Sequence, residues 1–419
     1  MHHWPRGFFA LLAAQFFSAW ADNALLIVAI AQLMASGQPA WSVPLLKCLF
    51  TLAYVVLAPW VGASADGWPK TTIMWVSHAL KLGGVAGIFM GGDVLLSYAV
   101  VGVGAALYSP AKYGWITQCV GPDRLVKANG WIETLTVCSA IGGVACGGWW
   151  ISSGFLGLSW VAVGVEGLNL DHAQVPLVMV GLLYGLTLSL TCLVPNRREV
   201  ERTEVSWRSR VGHFFRQDWW PLWLDRTART SLCITTLFWG VGASMQLLVL
   251  DWAQEHLGLG LDGGAYLQGM TGVGVVLGAW WAGRRILLRD HRRMLVCGLC
   301  LGAMLPLMLW VDHWAWALPL TVGVGMLSGL LVVPMNAMLQ HRGMQVLTPG
   351  RSIAVQNFNE NISILVMLGV YALMVQWRWP LSAMLGFYAV WMILVTGYFM
   401  WFDRPAQTGP APSAGDPPL

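Results

Sequence analysis

Gly102-Val-Gly-Ala-Ala-Leu-Tyr108-Ser-Pro110-Ala-Lys112 is followed downstream by Asn129, and Gly323-Val-Gly-Met-Leu-Ser-Gly-Leu-Leu-Val-Val-Pro334-Met-Asn336 is followed by Asn357. The order Gly-x-Gly, then Pro, then Asn therefore occurs once in each half of the chain. Each copy sits in an apolar run long enough to cross a bilayer, which takes about 20 residues. The chain is thus expected to be a pair of related membrane-embedded halves.

Composition agrees. Of 419 residues, 57% are apolar and 11% charged, and the mean hydropathy is +0.61, whereas a soluble domain is about 45–50% apolar and about 25% charged. Too few ionisable side chains are present to coat a soluble fold. A net charge of +4 and an abundance of Leu, Val, Gly and Trp exclude disorder and nucleic-acid binding. The 26 Trp residues suit a polytopic membrane protein, because indoles favour the membrane–water boundary. The eight cysteines are scattered, and Cys297-x-x-Cys300 has no zinc-spaced partner, so they read as small buried hydrophobes. No metal and no cofactor are expected. Met1-His2-His3-Trp4 runs into apolar sequence with no small-residue cleavage site, so the first run reads as a retained span.

Twelve apolar runs fall at 7–34, 42–64, 71–91, 94–116, 126–150, 175–194, 229–252, 264–288, 293–311, 315–339, 352–376 and 380–402. None has the period of two of a membrane β-strand. Of the 24 basic residues, Lys47, Lys81 and Lys112 lie in spans and only Arg378 falls in a loop on the acidic side. The remaining 20 alternate onto one side, expected to be cytoplasmic together with both termini. The expected fold class is all-α, with twelve transmembrane helices in two pseudo-symmetric six-helix halves: 1–194, then a cytoplasmic linker 195–228, then 229–404, then a disordered tail 405–419. That is the plan of a major-facilitator transporter, whose substrate site lies between the halves near the bilayer midplane. The linker's mixed charges read as a solvated face with scope for anionic-lipid contact.

Charge inside a span is the sharpest functional signal, since a central Asp, Lys or Arg costs about 2.5–3.5 kcal/mol even on insertion scales. Asp22, with Asn23 beside it, is midway along the first span. Lys81 is mid-span with His78 one turn earlier, a placement suited to a cavity or an ion pair. Lys112 follows Tyr108 near a span end, where snorkelling competes with a site role. Lys47 is explained by snorkelling. Glu133 follows Asn129, and Glu360 follows Asn357; with Asn336 these are secondary candidates, equally suited to holding helix ends together. Gly62-Ala-Ser-Ala-Asp66-Gly-Trp-Pro-Lys70 is assigned to conformational gating: Gly62 permits close packing, Asp66 can face helix N–H groups, and Lys70 anchors the loop.

The stretches Ala14-Gln-Phe-Phe-Ser-Ala-Trp-Ala-Asp22-Asn23-Ala-Leu-Leu26, Tyr108-Ser-Pro-Ala-Lys112-Tyr-Gly114, Leu125-Val-Lys-Ala-Asn129-Gly130 and Val332-Val-Pro-Met-Asn336 resemble the bacterial lysophospholipid transporter family. Ala354-Val-Gln-Asn357 with Glu360-Asn361 extends the likeness, which runs in register from about residue 10 to about 375. The resemblance implies an inner-membrane flippase that carries lysophosphatidylethanolamine and related lysophospholipids from outer to inner leaflet. A cytoplasmic acyltransferase system is then the implied partner that remakes the diacyl lipid. It also implies that Asp22 and Lys112 share a charge network with an arginine of the seventh span, where this chain has Gln246 instead. A neutral amide cannot neutralise Asp22, so three readings stand: Lys112 alone partners Asp22, Asp22 is protonated in some states, or the network differs here. Asp22, Asn23, Lys112, Gln246, Tyr108 and Lys81 are the expected substrate and gating residues, with Asp22 suited to an ammonium and Lys112 to a phosphodiester.

Two other functions compete. An ion-coupled transporter of a small soluble solute on the same fold would use Asp22 as its coupling carboxylate. A membrane-embedded lipid-modifying enzyme needs a catalytic His–Asp arrangement near one interface. Asp171-His172 is adjacent but falls on the outer side, and His2, His3, His213, His256 and His341 have no convincing partner. No enzyme activity is expected.

Overall fold

A computed structural model describes residues 4–39, 41–158, 161, 167, 170–196 and 209–401. Twelve long helical segments run in the expected order: α1 Phe8–Ala35, α2 Ser42–Gly67, α3 Lys70–Phe89, α4 Val94–Cys119, α5 Pro122–Trp150, α6 Val175–Cys192, α7 Arg226–Glu255, α8 Leu261–Arg285, α9 Leu295–Met304, α10 Trp314–Val346, α11 Pro349–Gln376 and α12 Leu381–Trp401. Among the described residues there is no strand. The ninth span is completed by 3-10 turns, Leu288–Met294 before α9 and Pro306–Trp310 after it. Eleven of these segments are long and apolar enough to cross a membrane by hydropathy alone. The other, α8, is diluted by glycine and buried against α10, where apolarity matters less than close approach. A Cβ added at Gly278 or Gly325 would run into the backbone of the facing helix.

Local chemistry sets the helix ends. Asp93 caps α4 by accepting from Leu96 N–H at 2.8 Å, and Asp225 caps α7 by accepting from Ala228 N–H at 2.9 Å. Pro122 and Pro349 open α5 and α11, where the missing N–H costs nothing.

Packing repeats between the halves. α1 lies on α5 and α6, α2 on α4, and α3 on α4 and α6; six helices later, α7 lies on α11, α8 on α10, and α9 on α10 and α12. The halves meet through two matched pairs, α2 with α11 and α5 with α8. The turns α2–α3, α4–α5, α8–α9 and α10–α11 share one end of the bundle, called here the basic end because Lys70, Arg124, Lys127, Arg284, Arg285, Arg342 and Arg351 cluster there.

Two expectations are corrected. The stretch from Arg210 to Leu224, read as a solvated loop, is helical and partly buried. Cys48, Cys138, Cys192 and Cys300 are exposed on the outside of the bundle rather than buried. The charge-rich segment 197–208, Glu166 and the tail 405–419 lie outside the described residues.

Candidate functional site

Gln15, Ser18 and Asp22 recur at three and four residues along α1, so they share one face. That face meets α3, α4, α5 and α6. Lys81 Nζ donates to Asp22 Oδ1 and Oδ2 at 2.8 and 2.7 Å and to Ser18 Oγ at 3.0 Å. The Tyr184 hydroxyl donates to Asp22 Oδ1 at 2.6 Å. Lys81 is 1% exposed, whereas Asp22 keeps 19% of its side chain accessible. The carboxylate is thus matched by a cation and a phenol, the arrangement that makes intramembrane charge tolerable.

Lys112 belongs to the same polar wall but not to that pair. Its Nζ donates to Gln15 Oε1 at 3.0 Å, and Gln15 Nε2 donates onward to Thr136 Oγ1 at 3.1 Å. It lies 4.1 Å from the centre of the Tyr113 ring and 5.5 Å from that of Tyr108. Tyr108 is shared, because Lys81 Nζ stands 5.7 Å from the same ring, and both cations gain from its π face. The His78 ring packs on Tyr108 at 4.7 Å. Lys81, not Lys112, therefore pairs with Asp22, which rules out Lys112 as its sole partner and fits the reading of a different network. Asn23 turns its amide back to Ala19 O at 2.8 Å.

Beyond Thr136 opens a cavity of about 380 Å³ between α5 and the helices of the second half. Glu133 and Thr136 from α5 lie on its polar side; Val137, Phe238, Met245 and Leu305 are typical of its apolar remainder. Its volume falls in the range of about 300–1,000 Å³ usual for small-molecule sites. Gln246 lines this cavity and is exposed. Its backbone carbonyl accepts from Gln268, and among the described residues it bonds neither Asp22 nor Lys112. Thr136 is the junction, since it lines the cavity and also receives the Gln15 amide that holds Lys112.

The secondary candidates do something else. Asn129 and Gln340 exchange two amide hydrogen bonds of 2.9 Å across the halves. Ser109 and Asn357 also bond across them, with Asn357 Nδ2 donating to Ser109 Oγ at 2.9 Å. Asn336 accepts from Gln356 at 2.9 Å, and Gln356 donates to Glu360 at 2.8 Å, all within the second half. Asp66, buried, accepts from the N–H groups of Gly350 and Arg351 at 2.9 and 3.0 Å, from the Thr348 hydroxyl, and from Lys70 at 3.3 Å. A carboxylate from α2 thus caps α11 in the opposite half, aided by the positive end of that helix. Gly62 lets the two helices touch there: a Cβ would stand 2.8 Å from Ala354 Cβ and 2.9 Å from Arg351 Cα. The Asn129–Gln340, Ser109–Asn357 and Asp66–α11 hydrogen bonds between the halves all lie toward the basic end. That end is tied shut.

Sequence reading missed Gln15, Ser18, Thr136, Tyr184, Gln340 and Arg351 as functional positions. Gln15 and Ser18 carried a signal, their spacing to Asp22; Tyr184 carried none beyond being the one tyrosine of α6.

Comparison with known proteins fits this architecture. The Major Facilitator Superfamily model matches residues 11–368. The lysophospholipid transporter LplT of Photorhabdus laumondii is 38% identical over 399 residues, covering 94% of this chain and 96% of that protein. The LplT of Yersinia pestis strain Pestoides F is 37% identical over 381 residues, covering 90% and 89%. Among solved structures, the major facilitator transporter FucP in its outward conformation superposes with a TM-score of 0.72 at 15% identity, covering 96% of this chain and 100% of that chain. The human organic anion transporter MFSD10 gives 0.72 at 12% identity, covering 94% and 98%.

Proposed function

Since this chain belongs to the major facilitator superfamily and, within it, to the lysophospholipid transporter family, we propose that it carries lysophosphatidylethanolamine and related lysophospholipids from the outer to the inner leaflet of the bacterial inner membrane. It is a transporter, not an enzyme, and it works by alternating access, with the basic end and both termini in the cytoplasm. A cytoplasmic acyltransferase system consumes the delivered lipid.

One observation carries the reading: a cationic polar wall in the first half opens, through Gln15 and Thr136, onto an apolar cavity between α5 and the second half. A lysophospholipid has the matching division, one charged head and one acyl chain. The head group's phosphodiester belongs at Lys112, whose hydrogen-bond partner is a neutral amide and not a carboxylate. Asp22 is already bonded to Lys81 and Tyr184, so it orders the wall and meets the ammonium only at its exposed edge. The apolar lining suits an acyl chain better than a small polar solute. Lys81 and Tyr108 position the two lysine charges, Gln246 and Asn23 border the path, and Gly62, Asp66 and Lys70 form the gate with Asn129 and Asn357.

Leaflet-resolved flipping of fluorescent lysophosphatidylethanolamine by reconstituted protein tests the proposal, with diacyl phosphatidylethanolamine and a sugar as controls. Selective flipping of the lysolipid is expected. Transport of the sugar alone, dependent on an imposed proton gradient, would transfer the assignment to an ion-coupled solute carrier. Labelling single cysteines at Gln217 and Asp171 from each side tests the orientation, with Gln217 expected to react only from the cytoplasmic side.

A further inference from the structure

Arg210–Leu224 form one continuous helical run ahead of α7: α-helical Arg210–His213, π-helical Phe214–Trp219 and α-helical Trp220–Leu224. Arg210, Phe214, Asp218 and Leu222 are buried, at a constant spacing of four that the wider π turn keeps on one face. Phe214 and Leu222 pack in a cluster with Ala58 of α2, Leu339 of α10 and Val355 of α11. Asp218 accepts from Arg351 Nε at 2.7 Å, and Trp219 Nε1 donates to Asn359 at 3.4 Å. The inner face is therefore bolted to the same end of α11 that Asp66 caps.

The outer face is a different surface. Val211, Phe215, Trp220 and Leu224 are exposed, and so are Arg216 and Arg226. The acidic residues of the segment, Asp218 and Asp225, are turned inward onto Arg351 and Arg342, which leaves the outward charge cationic. This row leads directly into Arg226, the first residue of the spanning helix α7. Aromatic and aliphatic side chains flanked by arginine beside the start of a span fit the headgroup layer, where indoles partition and arginines meet anionic phosphates. A soluble protein partner fits less well, because among the described residues the row shows arginine but no outward carboxylate.

We propose that residues 210–224 form an interfacial helix that seats its Phe215, Trp220 and Leu224 face among anionic lipid headgroups and so fixes the N-terminus of α11 relative to the membrane. The apolar side chains supply depth, and Arg216 and Arg226 supply the preference for anionic lipid. Neither contribution requires lysolipid, so this surface stands or falls independently of the transported substrate.

The test uses full-length protein lacking its native cysteines, spin-labelled at Phe215→Cys, Trp220→Cys or Gln217→Cys, in nanodiscs of phosphatidylcholine with or without phosphatidylglycerol. With phosphatidylglycerol, labels at 215 and 220 should be more accessible to oxygen than to an aqueous nickel chelate, and the label at 217 should show the reverse. Arg216→Gln with Arg226→Gln should make the labels at 215 and 220 shallower in those discs. Labels at 215 and 220 that remain water-exposed in both kinds of disc would overturn the docking. Equal depth with and without phosphatidylglycerol would overturn the anionic preference.

Discussion

Lys81 on α3 donates to both carboxylate oxygens of Asp22 on α1, at 2.8 and 2.7 Å, and Tyr184 on α6 adds a third donor to the same group. Three helices of the first half are thereby joined at one half-buried carboxylate. Removing one member of such a pair leaves the other uncompensated, at a cost of about 3–5 kcal/mol. Asp22→Ala and Lys81→Ala should each lower the thermal midpoint of the purified protein, and the double variant should be no worse than either alone. Additive losses in the unfolding curves would separate the two residues.

Lys112→Ala should behave differently. Its ammonium is held by a neutral amide and two aromatic faces, with Glu133 near but not in direct contact, so its removal breaks no direct ion pair. The thermal midpoint is expected to hold or rise while lysolipid flipping falls by roughly tenfold or more, the equivalent of about 1.4 kcal/mol of lost head-group interaction. Lys112→Arg should retain part of the activity. Flipping at the wild-type rate by Lys112→Ala would remove the phosphodiester from this position.

These two lysines show where sequence reading stops. Both are visible as intramembrane cations, and most span ends fall within a few residues of the helix ends because length and apolarity decide them, although α10 runs on past 339 to Val346. Which lysine reaches Asp22 depends on how α3 and α4 are rotated against α1, and no spacing along one chain encodes that. The gate was half legible. Gly62 and Asp66 carry their chemistry locally, but their partners Thr348, Gly350 and Arg351 lie in the other half of the sequence. The Arg210–Leu224 helix was hidden for another reason, since its buried face repeats every four residues through a π turn and not at the helical 3.6.

Asp66→Asn should loosen the basic end. It weakens a charge-assisted cap made to two N–H groups of α11, and hydrogen bonds to charged groups contribute about 1.5–3 kcal/mol each. A cysteine at Asn357, shielded by Ser109 when the halves are closed, should react faster with a water-soluble maleimide in this variant. Unchanged reactivity would mean that the cap does not set the closed state.

Acid should act on the same end through His213. Burial holds this imidazole below its ordinary value of 6.5, and the Arg351 and Arg210 cations add to that effect against the opposing pull of Asp218. Its Nε2 lies 3.1 Å from Arg351 Nη2, so protonation sets cation against cation. For a base depressed in the closed state, the contribution to closure is present above pH 6.5 and declines as pH falls below it. Relative to a fully exposed cysteine in the same buffer, which cancels the loss of thiolate in acid, maleimide reactivity at position 357 should therefore rise between about pH 7 and pH 5.5, and His213→Asn should flatten that dependence.

The cavity can be tested apart from the charges. Val137 projects into it from the α5 face that also carries Glu133 and Thr136, and Val137→Trp fills space without touching Lys112, Lys81 or Asp22. If the acyl chain occupies this space, flipping of long-chain lysolipids should fall several-fold, while short-chain lysolipids with the same head group should lose much less. Lys112→Ala should instead depress both to a similar degree, since head-group contact does not depend on chain length. Equal losses for long and short chains in Val137→Trp would place the acyl chain elsewhere, outside the space between α5 and α8.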